Sequence, residues 1–300
     1  MSNTKAWLQA ARLRTLPLSV SGILVGSFYA FSQGYTNWSI LSFALLTTLG
    51  LQILSNFAND YGDGIKGTDN ETRIGPKRAI QSGTITVASM KKGIIITSLL
   101  TLVSAIILIY LSFGKDNFAY SLFFFFLGLA AIAAAIKYTV GTSAYGYRGL
   151  GDVFVFIFFG LVSVLGCYFL FTQALDGMIV LPAISIGLLS VAVLNLNNMR
   201  DRVSDAQSGK NTLVVQIGPL KAKVYHITVI VSALLITLLF AIFNSFKPVQ
   251  YLFLLAYIPL LLHLKTVVKN KEPRDLDPEL KKVALSTFLL SVMLSIVLQL

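Results

Sequence analysis

The sequence is poor in charge and almost devoid of histidine and cysteine. Of 300 residues only 12% are charged, two are histidine and one is cysteine. The single thiol, Cys167, excludes an intramolecular disulfide and a cysteine metal cluster, and we predict a small apolar packing role for it. Charge this sparse, beside a hydrophobic content of 55%, excludes an ordinary soluble domain, in which about a quarter of residues are charged.

The apolar residues form long runs that recur along the whole chain. Because a helix needs about 20 apolar residues to cross a bilayer, the runs predict an all-α integral membrane protein of about nine transmembrane helices, in one domain over residues 1–300. The first run resembles a signal peptide, but it lacks a small-residue cleavage site before Trp38, so we interpret it as a span. The windows are 16–33, 38–57, 93–113, 117–136, 152–171, 178–196, 226–244, 249–266 and 283–300.

The positive charges are distributed unequally between the two ends of these helices. If the N-terminus is cytoplasmic, 22 of the 24 Lys and Arg residues lie on the cytoplasmic side, and only Lys115 and Lys247 lie outside. This asymmetry predicts a protein of the cell (inner) membrane whose active site faces the cytoplasm. The net charge of +11 then needs no nucleic-acid partner, since topology and anionic headgroups account for it. No obligate protein partner is implied.

Carboxylates collect where two of the apolar runs end. The stretch NFANDYGDGIKGTD begins at Asn56, and NLNNMRDRVSDAQSGKNT follows the sixth run. The pairs Asn56–Asp60 and Asn197–Asp201 are both spaced i to i+4, which puts each pair on one face of a helix. The repeated N-x-x-x-D phrase predicts an internal repeat of helices 1–4 and 5–8, with a ninth helix appended.

Carboxylates facing one another at a membrane edge repel unless a cation neutralises them. Mg²⁺ prefers oxygen ligands and is typically bound by one or two carboxylates plus substrate phosphates. The sequence therefore predicts Mg²⁺ ligands at Asp60, Asp63, Asp201 and Asp205, with a diphosphate between them. Neighbouring polar and cationic residues would hold the phosphate oxygens. They are Asn56, Asn59, Lys66, Arg73, Lys77, Arg78, Asn197, Arg200 and Lys210.

These phrases resemble the two aspartate-rich motifs of the UbiA superfamily of intramembrane prenyltransferases. The similarity rests on NDYGD, KGTD and RIGPKRAIQSG in the first motif and on NNMRDRVSDAQSGKNTL in the second. The six-residue step from Asp63 to Asp69 and the phrase AYGYRGLGDVFVFIFFG are similar to the branch that acts on 1,4-dihydroxy-2-naphthoate. The resemblance implies a Mg²⁺-dependent enzyme of menaquinone biosynthesis. Its substrates would be a polyprenyl diphosphate and an aromatic acid acceptor, and it would release diphosphate and CO₂.

A third polar group lies in the connection KYTVGTSAYGYRGLGD. We predict that Arg148 faces both aspartate motifs and orients the acidic acceptor, and that Asp152 steadies Arg148 or takes a proton. A membrane anchor and a helix cap are the alternatives for this pair. We predict interfacial or packing roles for His226 and His263, and a solvated loop for the run KNKEPRDLDPELKK.

Two other functions are compatible with the pattern. A secondary transporter would also have many spans and a repeat, but transporter sites usually lie near the bilayer midplane, whereas these carboxylates cluster at one surface. Within the prenyltransferases, the acceptor could instead be 4-hydroxybenzoate or homogentisate.

Overall fold

The computed structural model of the chain describes residues 3–70 and 74–300. Within those residues every regular element is helical, and nine helices are long and apolar enough to cross a membrane. The predicted all-α class and number of spans are thus confirmed. The helices are α1 (Thr4–Ser32), α2 (Trp38–Lys66), α3 (Val87–Phe113), α4 (Phe118–Lys137), α5 (Gly151–Thr172), α6 (Gly177–Gln207), α7 (Leu213–Phe243), α8 (Pro248–Lys269) and α9 (Pro273–Val297).

Local chemistry explains where these helices begin, break and end. The side chain of Asn37 accepts hydrogen bonds from two backbone N–H groups in the first turn of α2, and Gly67 ends that helix in a left-handed conformation with φ of 71°. Arg12, at φ of 50°, separates the short helix Asn3–Ala11 from the membrane-crossing part of α1. Gly218 and Pro219 break α7 near its start.

Several helices extend past their apolar windows at one end of the bundle. The apolar window in α2 stops at residue 57, but the helix continues to Lys66. We call this end the basic face; it carries the N-terminal arm and the connections 67–86, 138–150, 208–212 and 270–272. Both aspartate motifs therefore lie on helical turns that project beyond the apolar part of the bundle.

The helices pack as two groups joined by α1. Helices α2, α3 and α4 contact one another, while α6 packs against α5, α7 and α9. Helix α1 contacts α2, α5 and α9. The backbones of α5 and α6 touch, since a Cβ on Gly160 would lie 2.6 Å from the Cα of Gly187. This arrangement leaves a space between the groups, walled by α1 to α6 and α9.

The two histidines link three helices away from that space. His226 on α7 and His263 on α8 are fully buried, and their Nε2 atoms are 2.8 Å apart. The Nδ1 atom of His263 lies 2.5 Å from a carboxylate oxygen of Glu279 on α9. The predicted packing role of both histidines is confirmed, and it takes the form of a buried hydrogen-bonded chain.

Candidate active site

A cavity of about 450 Å³ opens at the basic face and continues between the helices toward the opposite end. Its end at the basic face is polar and carries residues of both aspartate motifs. Its deeper wall is apolar and aromatic, and includes Phe124, Phe158 and Leu170. Phe124 and Tyr138 both line it, and they lie 14 positions apart in sequence, which corresponds to about 20 Å of helix. The cavity therefore combines a charged entrance with a deep apolar extension.

Asp63 is the residue of the first motif that contacts both Tyr147 and Lys210. It is 7% exposed, and its Oδ1 accepts a hydrogen bond of 2.7 Å from the Tyr147 hydroxyl. Its Oδ2 lies 3.4 Å from the Lys210 ammonium, which is also 4.0 Å from Asp205 Oδ1. Lys210 thus lies between one carboxylate of each motif.

In the second motif, Arg200 is the cation that pairs with the carboxylates. Its guanidinium donates two hydrogen bonds to Asp201, of 2.8 and 2.6 Å. It also donates to Asn197 at 2.9 Å and to Asp277, on the first turn of α9, at 2.5 Å. This planar, multidentate geometry is available to arginine and not to lysine. The second motif is therefore tied to α9 through one buried side chain.

Outside the spans, burial and the nearby carboxylates shift the pKa values of three side chains of the site. Burial alone would lower the pKa of Lys210, but the negative charges of Asp63 and Asp205 raise it above its ordinary value. Burial, together with the charge of Asp63, raises the pKa of Tyr147, and burial raises the pKa of Tyr138 to about 12. At neutral pH the site thus contains a charged ammonium and uncharged phenols.

The cavity brings together most of the residues that the two motifs predicted. Three of the four predicted Mg²⁺ ligands line it, namely Asp63, Asp201 and Asp205. Six of the predicted phosphate-binding residues also do so: Asn56, Asn59, Arg78, Asn197, Arg200 and Lys210. Arg73 lies outside the described residues.

Asp60 does not line the cavity, and its placement corrects the register of the first motif. Its Oδ2 accepts a hydrogen bond of 3.1 Å from the backbone N–H of Ala79, in the connection after α2. The α2 residues that line the cavity include Gln52, Asn56, Asn59 and Asp63, which are spaced by four, three and four residues. The pair that corresponds to Asn197–Asp201 is therefore Asn59–Asp63 and not Asn56–Asp60.

Four other predicted site residues lie outside the cavity lining. Arg148 is exposed and does not line the cavity, so its role in orienting the acceptor stays a prediction. Asp152 is buried against α7, where the Tyr225 hydroxyl donates to it at 3.4 Å. Lys66 donates to the Thr139 carbonyl at 2.8 Å, and Lys77 is exposed.

Sequence reasoning missed several residues that do line the cavity. Arg14 was considered only for topology, and Asp277 and Lys281 lie in the run interpreted as a solvated loop. That interpretation is wrong for Asp277, because it pairs with Arg200. One signal was available, since both acidic and basic residues follow Pro273 at the start of a helix on the same face as the motifs.

The donor set fits a divalent cation only when a ligand completes the site. Within the described part of the chain, no group of three or more His, Cys, Asp or Glu side chains is arranged to hold a metal ion. Asp63, Asp201 and Asp205 nevertheless offer hard oxygen atoms to one cavity. Since Mg²⁺ commonly takes one or two carboxylates and completes its shell with water and phosphate, these residues fit a site that a diphosphate would complete.

Comparison with known proteins gives consistent matches over nearly the whole chain. The chain is 44% identical to a 1,4-dihydroxy-2-naphthoate octaprenyltransferase of Haemophilus influenzae, covering 97% of this chain and 95% of that protein. It is 43% identical to the Escherichia coli protein of the same name, with 98% and 96% covered.

Two solved structures share the fold at low sequence identity. The apo structure of a UbiA homolog from Aeropyrum pernix K1 has a TM-score of 0.68 at 14% identity, covering 92% of this chain and 97% of that one. A UbiA homolog from Archaeoglobus fulgidus, bound to DMAPP and Mg²⁺, has a TM-score of 0.57 at 15% identity, covering 97% and 99%. The model of the UbiA prenyltransferase family matches residues 19–292. With nine apolar helices around a cavity that carries both aspartate motifs, the chain belongs to the UbiA prenyltransferase family.

Proposed function

We propose that the protein transfers a polyprenyl group from polyprenyl diphosphate to 1,4-dihydroxy-2-naphthoate, with loss of diphosphate and CO₂, to give the demethylmenaquinone skeleton. The observation that carries this proposal is the single cavity with a charged entrance and a deep apolar wall. A prenyl diphosphate has the same division, with an anionic head and an apolar tail. The names of the relatives at 43–44% identity support the choice of acceptor.

The diphosphate binds at the entrance, among the cations that line it. Lys210 and Arg200 now neutralise the carboxylates of both motifs, and both can hold phosphate oxygens through charge-assisted hydrogen bonds. Asp63, Asp201 and Asp205 would hold Mg²⁺, and Asp60 positions the connection after α2 through Ala79. When bound, Mg²⁺ offsets the negative charge that develops on the departing diphosphate.

The reaction breaks the bond between the prenyl C1 atom and the diphosphate oxygen, and the electron pair leaves with the diphosphate. The ring carbon that bears the acceptor carboxylate forms the new carbon–carbon bond. Loss of CO₂ then returns an electron pair to the ring and restores its aromaticity. The apolar wall excludes water from the electron-poor prenyl carbon, and its aromatic faces stabilise positive charge there.

The acceptor carboxylate requires a cation that the diphosphate does not use. Arg14 and Lys281 line the cavity, and within the described residues neither side chain makes a hydrogen bond or an ion pair. Helices α1 and α9 pack side by side, and Gln299 near the end of α9 donates to the Phe28 carbonyl on α1. Both helices run away from the basic face, so their starts, which carry Arg14 and Lys281, lie at the same end. These two residues replace Arg148 as the proposed partners of the carboxylate.

The catalytic proposal is tested with purified protein, a radiolabelled prenyl diphosphate and a panel of acceptors. We expect prenylation of 1,4-dihydroxy-2-naphthoate with one CO₂ released for each product molecule. Preference for 4-hydroxybenzoate, with its carboxylate retained, would overturn the acceptor assignment. Absence of any prenyl transfer under conditions in which the Escherichia coli relative is active would overturn the function.

The charge asymmetry supports an active site that faces the cytoplasm. Cysteines replacing two exposed lysines test this orientation in a Cys167→Ala background. Lys115 lies in a connection of the opposite face and Lys271 in one of the basic face. An impermeant thiol reagent should label Lys115→Cys in intact cells and should not label Lys271→Cys. The reverse labelling pattern would refute the orientation.

A further inference from the structure

Tyr147 lies where three connections of the basic face meet. It belongs to the short 3-10 turn Tyr145–Arg148, between α4 and α5. Its hydroxyl reaches the first motif, and its carbonyl accepts a hydrogen bond of 3.2 Å from the backbone N–H of Asn211, near the end of the second motif. No ligand role was predicted for it, and it does not line the cavity.

The hydroxyl forms an ordered chain with two side chains of the first motif. The Tyr147 hydroxyl donates its one proton to Asp63 Oδ1 at 2.7 Å, so the hydrogen bond of 2.5 Å with Thr68 Oγ1 must be donated by Thr68. Lys210 approaches the other oxygen of Asp63 at 3.4 Å. Both oxygens of this carboxylate are therefore held, which fixes the rotation of its plane.

The ring of Tyr147 also contacts the cations of the site. The Lys66 ammonium lies 3.9 Å from the ring centroid, and the Lys210 ammonium lies 5.4 Å from it. Both distances are within the range of a cation–π attraction. One rigid side chain with two rotatable bonds thus contacts a carboxylate, a hydroxyl and two ammonium groups drawn from both motifs.

The local backbone explains why the tyrosine reaches this position. Gly146 donates its N–H to the Tyr138 carbonyl at 3.0 Å, and a Cβ at residue 146 would lie 2.6 Å from that oxygen. Only glycine permits this close approach, and it folds the connection back over the end of α4. The adjacent residue is thereby directed toward Asp63 on α2.

From this geometry we infer that Tyr147 is a positioning residue, which acts through Asp63 and holds the two aspartate motifs in the arrangement that binds diphosphate. The inference rests on the proposed function, since it assumes that Asp63 serves the diphosphate and its metal. Tyr147 itself touches neither substrate. Its removal should weaken donor binding without altering the acceptor subsite at Arg14 and Lys281.

The test measures binding and not turnover. Purified full-length protein in detergent is titrated with geranyl thiolodiphosphate, an unreactive short prenyl diphosphate, at a series of Mg²⁺ concentrations, by isothermal titration calorimetry. Tyr147→Phe keeps the ring and removes the hydroxyl. We expect half-saturation to need about tenfold more probe or Mg²⁺, the factor that corresponds to a lost hydrogen bond to a charged group.

Two further variants separate positioning from general destabilisation. Tyr168→Phe is the control, because it also removes a buried phenol that donates to a side chain, in this case to Gln33 at 2.6 Å. Tyr168 lies far from the motifs, so this variant should bind the probe as the wild type does. Thr68→Val removes the donor to the Tyr147 oxygen from a residue that also lines the cavity, and it should weaken binding in the same direction by a smaller factor. Should Tyr147→Phe not yield folded protein, Thr68→Val alone decides the outcome.

The decisive measurement is a double-mutant cycle with Asp63. If Tyr147 acts through Asp63, then Tyr147→Phe should have little further effect on the binding that remains in an Asp63→Ala background. Additive effects of the two substitutions, or binding by Tyr147→Phe within about twofold of the wild type, would overturn the inference. Failure of the wild type to bind the probe in a Mg²⁺-dependent manner would instead contradict the proposed function.

Discussion

Replacing Lys210 by methionine removes the positive charge between the two motifs while nearly preserving side-chain volume. The ammonium lies 3.4 Å from Asp63 Oδ2 and 4.0 Å from Asp205 Oδ1, and the residue is 8% exposed. At an effective dielectric constant of about 20, each attraction amounts to about 4–5 kcal/mol before desolvation is subtracted. Removal of one partner from a buried ionic cluster typically costs about 3–5 kcal/mol. We expect Lys210→Met to lose that much folding free energy in metal-free buffer.

The assay is thermal unfolding of the purified protein in detergent, with EDTA or with Mg²⁺ and a prenyl diphosphate. The unfolding midpoint of Lys210→Met should fall by several degrees in EDTA. Since Mg²⁺ replaces the missing positive charge, it should restore more stability to the variant than it adds to the wild type. Lys265→Met is the matched control, because Lys265 is exposed on the same face. Equal midpoints for the two variants, or equal Mg²⁺ responses of Lys210→Met and the wild type, would refute the reasoning.

Three other predictions address the metal, the acceptor and the prenyl tail. Asp201→Asn keeps the shape of the side chain but removes its charge, so it should lower turnover by orders of magnitude. EDTA should abolish wild-type turnover, and added Mg²⁺ should restore it. A turnover rate that does not depend on metal would contradict the proposed Mg²⁺ site. Arg14→Gln and Lys281→Gln should raise the KM for the acceptor but not for the donor, and Arg148→Gln should change neither; the opposite ranking would return the role to Arg148. Gly128 lines the cavity, and a Cβ there would meet only Ala105, at 4.0 Å. Gly128→Phe should therefore block long prenyl donors but not geranyl diphosphate. Competition between a long donor and geranyl diphosphate would measure this preference, and equal use of both donors would disprove the prediction.

The sequence was sufficient for the spans because hydrophobicity and length decide them. A run of about 20 apolar residues has one stable arrangement in a bilayer, whatever its neighbours are. The lengths of the apolar runs, however, underestimate the lengths of the helices at the basic face. The turns from Asn56 to Lys66 are polar, but their backbone hydrogen bonds continue the helix until Gly67 ends it.

The candidate site was predicted only in part, because spacing defines a face without saying where that face points. Asp60 and Asp63 are separated by roughly 60° around a helix, so both could face the same cavity. The packing of α2 against its neighbours directs Asp63 inward and leaves Asp60 to hold the Ala79 backbone. Arg14 and Lys281 were missed because they are far apart in sequence and come to line one cavity only when α1 packs against α9.

The buried ion pairs at the entrance are themselves evidence of a ligand site. Buried pairs contribute little to folding compared with apolar residues of similar volume, since desolvation offsets much of their attraction. A fold selected for stability alone would have little reason to place Asp63, Asp205 and Lys210 together beneath the surface. The cluster is explained if a bound ligand replaces the present pairing between its cations and its carboxylates. In the structure, Lys210 and Arg200 neutralise the carboxylates; under the proposed function both cations could turn to the phosphates of a bound diphosphate, and the carboxylates would then hold Mg²⁺. The chain thus holds a complete set of both charges at the membrane edge, which allows an anionic lipid head to enter without leaving an uncompensated charge in either state.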